Sequence, residues 1–188
     1  MRVVPLAEAT PAQRERAAAV LVAALAHAPA AWKTLDDARA EVATFLTDPD
    51  RAAWAALDDG GALLGWIGAI RVYEGHVWEL HPLVVAPDRQ RRGVGTALVR
   101  ALEDAARAAG VVTVTLGTDD DFGGTTIFGV DVYDDLPGHI ARLAAVEGAP
   151  APHPVAFYRR LGYAVVGLLP DANGVGRHDI LMARAIRP

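Results

Sequence analysis

WELHPLVVAPDRQRRGVGT, Trp78 to Thr96, runs from an apolar, β-branched stretch through Ala86-Pro87-Asp88 into Gln90-Arg91-Arg92-Gly93-Val94-Gly95 and on into a helical pattern. A strand that feeds an Arg-rich, Gly-containing turn into a helix start makes an anion cradle. Backbone N–H groups point outward there, the helix dipole favours negative charge, and glycine lets the backbone approach a phosphate. The stretch predicts a ligand that carries a pyrophosphate. A P-loop would place Lys-Ser/Thr directly after the glycines, and here Val94-Gly95-Thr96 stands instead. A dinucleotide fingerprint would need a third glycine and an acidic end to the next strand, which closes on Gly117-Thr118. Neither of those classes fits.

Outward from the loop, the elements alternate. Arg2–Leu6 reads as a strand, Pro11 to about His27 and Leu35–Thr47 as helices, and Ala52–Leu57 as a strand closed by the turn Asp58-Asp59-Gly60-Gly61. Strands follow at Ala62–Tyr73 and Val77–Ala86, a helix at Gly93–Ala109 and a strand at Val111–Leu116. The connection from Gly117 to His153 is long enough to need structure of its own. Val132, Leu136, Ile140 and Leu143 recur there at helical spacing, with Pro137 near the helix start. A short helix at Pro154–Leu161 and strands at Tyr163–Leu169 and Asp179–Ala185 close the chain. This order predicts one α/β domain over residues 1–188, with a mixed central sheet flanked by helices.

The chain has 188 residues, 52% hydrophobic and 22% charged, which predicts a globular core. A net charge of −5 gives nucleic acid no electrostatic footprint and suits cationic ligands. The absence of cysteine excludes disulfides, thiolate metal sites and a thiol nucleophile. The apolar run Ala17–Ala26 imitates a secretory leader, but Thr10-Pro11 marks a helix start, and the run is too short to span a membrane.

Glu79 and His81 are two residues apart in a strand and so share a face, with Trp78 and Leu80 on the other. A carboxylate and an imidazole just ahead of an anion loop can take a proton from a reacting amine. Pro82 cannot donate to a sheet ladder, so it predicts a bulge or a splay at this strand, freeing backbone groups of Leu83 and Val85 for a ligand.

The pattern Gln90-x-x-Gly93-x-Gly95, the proline-broken strand and Phe157-Tyr158-Arg159-Arg160-Leu161-Gly162-Tyr163 together resemble the GNAT superfamily of N-acetyltransferases. More narrowly, WELHPLVV, Leu116 to Asp120, Gly124-Thr125-Thr126, His153-Pro154, Val166 to Pro170, Ala172-Asn173-Gly174 and Asp179-Ile180-x-Met182 resemble the aminoglycoside 6'-N-acetyltransferases, nearest the chromosomal, dimeric branch. The resemblance covers about Gly65 to Ile186 and departs at Leu181 and at Val175-Gly176-Arg177.

It implies a GNAT fold splayed at the fourth strand, with acetyl-CoA held by Leu83, Val84, Val85, Gln90, Arg91, Arg92, Gly93, Val94, Gly95, Thr96 and Tyr158. It implies catalysis by Glu79, His81, the Leu83 N–H and Tyr158, with Tyr158 protonating the leaving thiolate. Trp78, Glu79, Asp119, Asp120, Asp171 and Asp179 are the expected contacts for an aminoglycoside or other cationic amine, since a polycation needs carboxylates. A cytoplasmic homodimer without metal, nucleic acid or membrane is the implied setting. Two other readings stay open at this point: an acetyltransferase for a polyamine, peptide or protein amine, and a non-catalytic acyl-CoA-binding regulatory module.

Overall fold

The computed structural model describes residues 1–28, 32–120, 123–145 and 153–186. The chain forms two compact units, residues 1–114 with 186–188, and residues 115–185. Among the described residues, antiparallel and parallel strands with five α-helices give the mixed α/β class that the element order predicts.

In the first unit, β1 (Arg2–Pro5), β2 (Arg51–Leu57), β3 (Leu63–Val72) and β4 (Val77–Val85) are ordered β1-β2-β3-β4, each antiparallel to its neighbour. Asp58 closes the β2–β3 turn by accepting the Ala62 N–H at 2.8 Å, and Gly61 takes the left-handed conformation. Helix α1 (Pro11–Ala24) starts where Thr10 predicts: its hydroxyl accepts the Gln13 N–H and the Gln13 amide oxygen accepts the Thr10 N–H. The leader-like apolar run therefore begins inside a capped core helix.

Small Ala17 and Ala18 let α1 lie close to the sheet, beside α2 (Leu35–Thr47). Leu21, Val42, Phe45, Leu57, Leu63, Trp66 and Val84 fill the space between. Trp66 is fully buried, donates its indole N–H to the Ala17 carbonyl at 3.1 Å, and meets Phe45 edge to face. Truncating it to alanine would cost about 3–5 kcal/mol. Helix α3 (Val94–Ala108) buries Val94, Leu98, Val99, Leu102 and Ala106 on one face.

Pro82 does disturb β4. The β3–β4 register jumps between Ile67 and Ala69, leaving Gly68 opposite His81-Pro82, whose peptide bond is cis. Of the bulge and the splay that Pro82 predicts, the ladder to β3 takes the bulge. Gly68 is required there: a Cβ would strike both the His81 carbonyl and the Phe45 ring.

The second unit holds most of β5 (Thr113–Asp119), with α4 (Leu136–Ala145), α5 (Pro154–Arg160), β6 (Ala164–Leu169) and β7 (Asp179–Ala185). The strand order is β5-β7-β6, with β6 and β7 antiparallel. β5 runs on to Asp119, beyond the expected end at Leu116. The helix expected in the long connection forms as α4 with Pro137 in its first turn, and Val132 is buried ahead of it. His178, fully buried, accepts the Asp171 N–H at Nδ1 and donates from Nε2 to the Val130 carbonyl, each at 3.0 Å. It pins the turn before β7 to the connection after β5.

Candidate active site

In the first unit, alternation along β4 divides its side chains as far as the bulge: Trp78 and Leu80 are buried while Glu79 and His81 are half-buried, and beyond the bulge Val84 pairs with Trp66 and joins the α1–α2 core. Glu79 pairs with Ile70, which packs against the α1–α2 core, so the ionisable pair lies on that face. Trp78 lies on the other. It stacks on Trp54 with ring centroids 6.1 Å apart, and the Arg71 guanidinium sits 5.8 Å from its ring. The expected substrate contact at Trp78 is corrected: it is a core residue, only 4% exposed.

The aromatic side chain beside the pair is Trp32, from the α1–α2 connection. Its ring lies 5.6 Å from the His81 ring, tilted by 46°. Sequence reasoning missed it because a lone tryptophan between helices belongs to no periodic pattern.

Beyond β4, Gln90 donates its side-chain amide to the Val85 carbonyl at 3.3 Å, tying the loop to the strand end. Arg91 adopts φ 57° and Gly93 φ 83°, both left-handed. Gly93 precedes the first turn of α3, and no side chain caps that helix. The first N–H groups, at Val94, Gly95 and Thr96, therefore remain donors for a ligand. Arg91 and Arg92 are exposed, and a Cβ at Gly93 would meet nothing within 4 Å. Open donors, a positive helix end and two exposed arginines fit a pyrophosphate.

In the second unit, strand parity separates the adjacent carboxylates. Gly117 and Asp119 face solvent while Thr118 and Asp120 are buried. Asp179, at the start of β7, lies over Gly117, where any side chain would displace its carboxylate. The Asp119 carboxylate accepts from the Asn173 amide. Asp171, with φ 55°, accepts the Gly176 N–H at 2.8 Å and shapes the turn that carries Asn173.

Asp120 is fully buried. It accepts the Gly124 N–H at 2.9 Å, the Thr125 N–H at 3.0 Å, and the Thr125 hydroxyl. The expected substrate contact at Asp120 is corrected to a loop clamp, because both oxygens are engaged before any ligand arrives. This also accounts for the Gly124-Thr125 sequence.

Tyr158, on α5, is nearly buried between Phe157 and Tyr163, with ring centroids 5.0 and 5.7 Å away. Burial pushes its phenol well above the ordinary tyrosine range, so it keeps its proton at any working pH. The neutral hydroxyl can serve as a hydrogen-bond donor to a group with developing negative charge. Among the described residues, no cluster of three acidic or histidine side chains is arranged to hold a metal, and no helix is long and apolar enough to cross a membrane.

Residues 18–124 match the model of the acetyltransferase (GNAT) family. Among solved structures, an aminoglycoside 6'-N-acetyltransferase complexed with coenzyme A is 36% identical, with a TM-score of 0.87, covering 100% of this chain and 98% of that one. The aminoglycoside 6'-N-acetyltransferase from Enterococcus faecium is also 36% identical, with the same TM-score of 0.87 and the same coverage of 100% and 98%. An aminoglycoside 6'-acetyltransferase of type Ii is 33% identical, with a TM-score of 0.73 and coverage of 100% and 99%. No curated protein matches the chain.

Proposed function

The chain belongs to the acetyltransferase (GNAT) family, and from that premise we propose that it transfers the acetyl group of acetyl-CoA to the 6'-amine of an aminoglycoside. The observation that carries this reading is 36% identity over the whole chain with proteins named for that reaction. The acidic face of Asp119 and Asp179 supports it, since a polycationic acceptor is drawn to carboxylates. We propose that residues 1–188 act as a single acetyltransferase domain.

Acetyl-CoA brings an activated thioester. The N–H groups at the start of α3, with Gln90, Arg91, Arg92 and Gly93, hold its pyrophosphate. The backbone of Leu83, Val84 and Val85 receives its pantetheine arm. Trp32 and Trp78 divide the aromatic work: Trp32 walls the acceptor side of β4 and Trp78 supports the strand from behind. Asp119 and Asp179 bind ammonium groups of the acceptor, and Asp171 sets the turn beside them.

Glu79, with His81, takes a proton from the reacting ammonium. The freed nitrogen attacks the thioester carbon, and the Leu83 N–H donates to the oxygen as negative charge develops there. The nitrogen gives up its second proton to water through His81 as the C–S bond breaks, and the thiolate takes the Tyr158 proton, which solvent restores. A cytoplasmic location follows from this co-substrate. We also propose a homodimer. β6 is the last strand in its unit's order and exposes Val166 and Leu169 by more than half (59% and 55%), an apolar edge suited to a second copy.

Product analysis tests the position of transfer. Incubated with a kanamycin-type acceptor, the protein is expected to yield one product, acetylated on the 6' nitrogen, and none from an analogue with a 6'-hydroxyl. Acetylation at another amine would refute the assignment.

A further inference from the structure

His153 uses both ring nitrogens on two functional neighbours. It is the N-cap of α5, and its Nδ1 accepts the Val155 N–H at 3.2 Å. That leaves the proton on Nε2, which donates to the backbone carbonyl of Asp119 at 3.0 Å. The ring is about nine-tenths buried and packs so closely on Gly124 that a Cβ there would strike it. Gly124 is itself held by the Asp120 clamp. One imidazole thus joins the helix that carries Tyr158 to the strand end that carries Asp119.

We propose that His153 is a positioning residue for the transfer: it sets the spacing between the proton donor Tyr158 and the acceptor-binding Asp119 through one neutral ring. The inference rests on the acetyltransferase reading above.

The ring must stay neutral to make both bonds, because a protonated Nδ1 cannot accept from Val155. Burial lowers the His153 pKa from the usual 6.5, against the hydrogen bond to the Asp119 carbonyl and the charges of Asp120 and Asp119, the ionisable groups that act on it among the described residues. A histidine held neutral stabilises the fold above its unfolded pKa. That contribution is lost as pH falls through the folded value.

Two variants separate the bonds. His153→Asn keeps an acceptor at the cap but cannot reach Asp119. His153→Gln reaches the Asp119 carbonyl with an amide N–H but loses the cap. Steady-state thiol release with a kanamycin-type acceptor and acetyl-CoA reads the split, with circular dichroism confirming folding.

His153→Asn is expected to raise the acceptor KM about fivefold at nearly constant kcat, the size of one lost hydrogen bond. His153→Gln is expected to lower kcat by a similar factor at nearly constant acceptor KM, because the start of α5 frays. The melting temperature of the wild type should fall more steeply below pH 6.5 than that of His153→Asn. If His153→Gln does not fold, the KM-against-kcat split of His153→Asn decides alone.

Equal losses in kcat and KM, or constants within twofold of wild type, would overturn the proposal and leave the acetyltransferase reading standing. A wild type inert toward every amine would remove that reading and this proposal with it.

Discussion

β4 and β5 each run into a glycine-bearing turn, and the two turns treat their polar groups in opposite ways. After β4, Gly93 turns left-handed and α3 begins without a side-chain cap, so donors and two arginines stay open. After β5, Asp120 goes inward and engages the N–H groups of Gly124 and Thr125. Both turns have the residue types of a binding site. Only the first leaves them to a ligand. A carboxylate beside a site in sequence is outside it when the chain's own donors reach it first.

The largest effect should come from breaking the open turn. Gly93→Asp puts a carboxylate where the phosphate charge must sit and forces a side chain into φ 83°. Calorimetric titration should show CoA affinity falling roughly a hundredfold, from about 2 kcal/mol of anion–dipole binding reversed and about 1 of strain. Gly93→Ala, which adds no charge and meets no neighbour within 4 Å, should lose much less. Equal losses in the two variants would mean that backbone shape, not charge, makes the cradle.

Smaller and opposite effects should come from the paired carboxylates. Asp120→Asn turns an amide N–H toward a backbone N–H in a buried clamp. It should lose about 2 kcal/mol of stability, melt roughly 4–8 °C lower, and keep both KM values near wild type. Asp119→Asn should melt normally and raise the aminoglycoside KM about fivefold, with the acetyl-CoA KM unchanged. The reverse pattern would return Asp120 to the site and make Asp119 structural.

Most of the fold is legible because its signals are local. Thr10-Pro11 starts α1, Asp58 to Gly61 turns the first hairpin, and the apolar stripe of α3 begins one residue after Gly93. The open turn before α3 is legible for the same reason: its left-handed backbone is a shape that glycine positions announce. Asp120 is misread because β5 was expected to stop at Leu116. Extending the strand by its own alternation puts Asp119 out and Asp120 in. Trp78 is misread against parity too, since the pattern that joins Glu79 to His81 turns Trp78 away. The contact of Trp32 with His81 leaves no trace in sequence spacing, and although His153-Pro154 announces a helix start, the bond from His153 to Asp119 is a tertiary contact that the motif does not show.

Thiol release from acetyl-CoA across a panel of amines tests the central claim most directly. For a kanamycin-type aminoglycoside, kcat/KM should exceed that for spermidine or a basic peptide by roughly a hundredfold, through the carboxylates that meet its ring-borne ammonium groups. Preference for spermidine or the peptide, or no thiol release with any amine, would contradict it.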